Sequence, residues 1–104
     1  MKSQHESLQH LIALLDLPDT DYWSDVASCD ARAVLDHGGE QLLQLVAGEL
    51  VSWPSLRQKH LAYILGESPV ALEGQLLSKL ADSPIPGIAF TARESLRGGN
   101  ARGA

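Results

Sequence analysis

Apolar residues recur along this chain at intervals of three and four, and no alternating run of four or more marks a strand. Leu8, Leu11, Ile12 and Leu15 follow the i, i+3, i+4, i+7 rhythm of one buried helical face. Ser3 and Glu6 stand ahead of them in capping-box spacing, so a first helix is predicted over 3–15, with Pro18 ending it. A second helix starts at Asp19 or Thr20 and carries Tyr22, Trp23, Val26 and Ala27 as its apolar stripe. The stretch 28–30 breaks it, and Asp30 caps a short helix through Ala31, Val34 and Leu35. Gly38-Gly39 then supplies a C-terminal cap.

The second half reads the same way. A helix over 40–51 buries Leu42, Leu43, Val46, Ala47 and Leu50, and Trp53-Pro54 makes a tight joint to a helix over 54–65 that ends at Gly66. Ser68-Pro69 and Ser83-Pro84 repeat one device, an N-cap serine followed by a proline in the first turn. They open a fifth helix with Val70, Leu72, Leu76, Leu77 and Leu80 inward, and a sixth with Ile85, Ile88, Ala89, Ala92 and Leu96 inward. Gly98-Gly99 closes the last one, leaving 98–104 as a tail with no apolar anchor. The expected architecture is all-α: five to six short antiparallel helices in one domain over 1–97, stacked as a short superhelix or an irregular bundle.

Composition agrees with this. Leucine supplies 18 of 104 residues while valine and isoleucine together supply nine, a skew toward unbranched side chains that keep their rotamer freedom in a helix. No apolar run approaches the ~18 residues of a membrane span, and the opening MKSQHESLQH lacks the apolar core of a secretory leader. With Cys29 the only cysteine, no internal disulfide can form, and a soluble cytoplasmic protein is expected.

Charge changes the picture more. The net value of −5 hides a division: 1–52 carries nine acids against Lys2 and Arg32, whereas 53–104 is mildly basic. An acidic chain lacks the basic face that nucleic-acid binding requires, so no nucleic-acid partner is expected. Asp16, Asp19, Asp21, Asp25, Asp30 and Asp36 all fall within 16–36, beside Tyr22 and Trp23. Aromatic anchors ringed by carboxylates suit a basic protein partner, so these eight residues are the predicted partner-binding set.

The segment Arg57-Gln-Lys-His-Leu-Ala-Tyr-Ile-Leu-Gly66 resembles the second half of a HEAT-type helical repeat, and 88–97 resembles a second copy, with Leu65 and Leu96 31 residues apart. The resemblance covers 55–97. The stretch GGEQLLQLVAGELVSWPSLRQKHLAYILGES, 38–68, is similar to small bacterial immunity proteins with HEAT-like helices. That likeness implies a protein-binding function, in which a helical chain occludes a cognate toxin and carries no catalytic residues.

Other chemistry finds little footing. His5 and His10 are five apart, unlike the i, i+4 pair of a helical metal site, and His37 and His60 are read as structural. Asp19-Thr20-Asp21 lacks the following ligands and glycine of a calcium loop. No phosphate-binding or nucleophile-elbow motif occurs, and Cys29 has no assignable base. The expectation is a non-enzymatic binding module without cofactor or metal, monomeric when free, that blocks a basic toxin domain. The alternatives are a helical adaptor in a larger assembly and, behind it, a carboxylate-dependent metal enzyme.

Overall fold

Glycine and proline positions explain most of the helix boundaries. The computed structural model describes residues 4–67 and 70–103, with side chains as far as Arg97. Helix α1 spans Gln4–Leu15, α2 Ser28–Glu49, α3 Ser55–Ile64, α4 Ala71–Ala81 and α5 Pro86–Gly103. A wide π turn, Trp23–Ala27, leads into α2, and a tight 3-10 turn, Leu50–Ser52, follows it. Among the described residues there is no strand, so the chain is all-α as its periodicity predicts. No helix of the described residues is long and apolar enough to cross a membrane.

Gly39 interrupts α2 with φ 64° and ψ −160°, a region that residues with a Cβ hardly enter. The glycine pair therefore breaks the helix where the sequence placed a cap, but the next helical segment follows at once. The expected break over 28–30 does not occur. Instead the chain passes through the π turn: the Ser28 amide donates to the Trp23 carbonyl, and the Ser28 hydroxyl donates to the Ser24 carbonyl at 2.7 Å. Small polar residues are here satisfied inside the helix rather than competing with it.

Two further boundaries differ from the pattern. In α5 it is Pro86, not Pro84, that occupies the first turn, while the Ser83 hydroxyl accepts the Ile85 amide at 3.1 Å. Ile85 and Val70, expected inside, are exposed because each lies just outside its helix. Helix α5 also continues past Gly98-Gly99 to Gly103, over backbone expected to be unstructured, since glycine weakens a helix without blocking it as proline does. The Ser3 cap and the Ser68-Pro69 start lie outside the described residues.

One core joins these elements. Leu8, Leu11 and Leu15 of α1 meet α2, which contributes Ala31, Leu35, Leu42, Leu43 and Val46. Helices α4 and α5 pack on each other, and α3 packs on α5. With a radius of gyration of 12.6 Å, the fold is as tight as the ~13 Å usual for a globular domain of this length. Trp53 closes the joint before α3: it is buried, and Arg57 lies over its ring at 5.3 Å.

A buried ion pair ties the two halves of the molecule. Glu73, at the start of α4, is 1% exposed, and both its carboxylate oxygens accept from Arg32 of α2 at 2.7 Å. The same carboxylate accepts the Gly66 amide at 2.9 Å, and Arg32 also donates to the Ile64 carbonyl at 2.9 Å. Gly66 has φ 93°, and a Cβ there would meet Leu77 at 2.9 Å. Glycine alone lets the chain leave α3 and present its amide to Glu73.

Gly39→Ala is expected to cost about 1–3 kcal/mol, because alanine is strained in this conformation. Urea denaturation checks this: the midpoint falls at an unchanged slope, and a wild-type midpoint would show that Gly39 is not held there.

Candidate functional site

Residues 21–30, which run through the π turn into the start of α2, face two ways, and this sorts the predicted binding residues. Trp23 turns inward and is 1% exposed. Its indole N–H donates to the Leu14 carbonyl at 2.9 Å, a carbonyl at the end of α1 that also accepts the Leu17 amide at 3.3 Å. Its ring stacks on His60 of α3 with centroids 3.7 Å apart and meets Tyr63 edge-on at 5.4 Å. The expectation that Trp23 anchors a partner is thus corrected: it is a core residue joining α1, α2 and α3. His60 is buried with it, and its Nδ1 lies 2.8 Å from the Leu15 carbonyl, so Nδ1 carries the proton and donates.

Three of the six predicted aspartates are engaged within the molecule. Asp16 receives a two-pronged contact from Arg57 at 2.9 and 2.8 Å, and this carboxylate holds the guanidinium above its ordinary pKa. Asp19 accepts from Lys59 at 2.9 Å and lies 3.5 Å from His60 Nε2. The Lys59 hydrogen bond keeps the Asp19 carboxyl below the usual carboxylate range, against the opposing effect of burial. A lowered carboxyl pKa stabilises the fold above about pH 4 and loses that contribution as pH falls through the folded value. Asp36 pairs with Arg32 at 2.6 Å. These three acids are screened by cations, Arg57 and Lys59 from the basic half and Arg32 from the acidic half, so the uniform acidic patch expected over 16–36 is not what forms.

What remains is smaller and sharper. Asp21, Asp25 and Asp30 are exposed, and their carboxylates meet no cation among the described residues. Between them stand Tyr22, 60% exposed, and Val26, 42% exposed, one helical turn apart. Cys29 is an exposed free thiol beside this stripe. Asp30 also borders a shallow cleft of about 410 Å³ between α1 and α2, with His10, Leu14, Val34 and His37.

Two residues that the sequence reading did not single out for binding are Tyr63 and Phe90, 50% and 65% exposed. They border an open groove of about 620 Å³ between α3 and α5, with Glu67 and Glu94. The sequence held a signal: Tyr63 and Phe90 fall outside the apolar positions that define their helices' inner faces. Among the described residues no group of three or more His, Cys, Asp or Glu side chains is arranged to hold a metal ion. No protein family, curated protein or solved structure matches the chain.

The two adjacent aromatics separate by experiment. Trp23→Ala is expected to destabilise by about 3–5 kcal/mol in urea, whereas Tyr22→Ala stays within about 0.5 kcal/mol of wild type. Equal effects would mean that the two rings do not divide between core and surface.

Proposed function

We propose that this chain is a protein-binding module that takes a basic partner on the outer face of residues 21–30, the π turn and the start of α2, and acts by stoichiometric occlusion rather than catalysis. The observation that carries the reading is the uncompensated set Asp21, Asp25 and Asp30 around exposed Tyr22 and Val26. Carboxylates without internal cations set a local negative potential that speeds encounter with a cationic surface, and an exposed tyrosine supplies apolar contact at little entropic cost. The likeness of 38–68 to small bacterial immunity proteins supports a toxin domain as that partner, met by a monomer in the cytoplasm. The exposed Cys29 thiol suits such a reducing compartment.

An adaptor role has one observation in its favour. Val51, 65% exposed, and Ile85 border a common cleft of about 350 Å³, which another helical chain could cover. That role predicts association through this cleft and indifference to charge on α2.

The Asp21→Lys/Asp25→Lys double variant tests the leading reading with a captured cationic partner. The association rate is expected to fall tenfold or more at low salt, roughly the range of electrostatic steering, and to lose its salt dependence. Neither carboxylate has a cation partner to lose, so the variant should fold. An unchanged rate would remove the acidic face from the mechanism.

A further inference from the structure

We infer that His60 and Asp19 form a proton-operated clasp: a proton taken up at His60 Nε2 pairs the ring with Asp19 and fixes residues 16–22, the link between α1 and the π turn, against α3. The clasp goes beyond the binding reading and does not depend on it, although the link carries Asp21 and Tyr22.

The surroundings of the ring set it up for this. His60 is 2% exposed and stacks on Trp23 at 3.7 Å, which holds its plane. Nδ1 gives its proton to the Leu15 carbonyl at 2.8 Å, which leaves Nε2 as a lone pair in the neutral ring. Nε2 is buried and has no hydrogen-bond partner. It faces Asp19 Oδ1 at 3.5 Å, while Asp19 Oδ2 accepts from Lys59 at 2.9 Å. A buried acceptor without a donor is costly, and this one looks onto an anion. Protonation turns Nε2 into a donor aimed at that carboxylate. Both ring nitrogens are then satisfied, and the new bond is charge-assisted.

The neighbouring charges make Asp19 the group that responds. Its carboxylate favours the imidazolium, while the Lys59 ammonium and the burial of the ring oppose it. Asp16, beside the Leu15 carbonyl, is paired with Arg57. Helix α2 brings Arg32, held by Glu73 of α4, by Asp36 and by the Ile64 carbonyl, and α5 brings Arg97 and Glu94, paired with each other. Lys59 first, and His60 after it, hold the Asp19 carboxyl below the usual carboxylate range against the effect of burial. The clasp therefore closes as pH falls through the range where histidines take protons, and opens again only when Asp19 is itself protonated. The other side-chain ties of the link to α3, Asp16 to Arg57 and Asp19 to Lys59, are partly exposed and individually weak.

Ring-nitrogen NMR of the isotopically labelled full chain, from about pH 5 to 8, reads the clasp directly. On acidification Nε2 is expected to change from lone pair to N–H while Nδ1 stays protonated. The amides of 19–22 are expected to shift with the same midpoint. Asp19→Asn, whose amide can donate to the neutral ring, should weaken proton binding at His60 about threefold or more, and Lys59→Met, which removes the opposing cation, should strengthen it. Both side chains reach solvent, so the variants keep the fold, which far-ultraviolet circular dichroism checks. A ring that holds one protonation state across this range would overturn the clasp. So would proton exchange at Nδ1 rather than Nε2, or an identical titration in Asp19→Asn.

Discussion

The guanidinium of Arg32 and the carboxylate of Glu73 meet 41 residues apart in sequence and almost out of reach of solvent, and the positions of three helices depend on that meeting. A carboxylate buried to this degree is tolerable only when its lone pairs are filled, and here Arg32 and the Gly66 amide fill them. Arg32 has its own remaining donors taken by Asp36 and the Ile64 carbonyl. The network therefore fixes where α3 ends, where α4 begins and how both sit against α2. Apolar packing among leucines fills the core at roughly 1.5–3 kcal/mol for each side chain removed from water, but leucines do not by themselves select one register.

The same pairing shapes the surface. Arg32, Arg57 and Lys59 are each engaged with a carboxylate from the acidic half, namely Asp36, Asp16 and Asp19. Exposed pairs of this kind add little stability one by one. Their consequence is where charge is left over. Asp21, Asp25 and Asp30 project from residues 21–30, which lead through the π turn into the start of α2, and Tyr22 and Val26 stand exposed among them. The proposed binding face is thus a remainder set by the fold.

Much of the helical pattern was legible from spacing. Leu8, Leu11 and Leu15 are buried as their periodicity requires, and Gly39 breaks the chain near the expected point. The π turn was not legible, because Ser28 and Asp30 look like cap residues until the Ser28 hydroxyl is seen bonded within the helix. Adjacent Tyr22 and Trp23 could not be told apart, since only the position of His60 decides which ring goes inside. The aspartates were visible as a cluster, but their division into paired and unpaired needs the tertiary position of Arg57 and Lys59. Arg32 and Glu73 gave no local sign of partnership at all.

A double-mutant cycle in urea over Arg32→Met and Glu73→Leu measures the coupling most directly. Each single change leaves a buried charge without its partner and should cost about 3–5 kcal/mol, while the double, with two apolar side chains in the same space, should lose far less than the sum. Single losses below about 1 kcal/mol that simply add in the double would contradict the account.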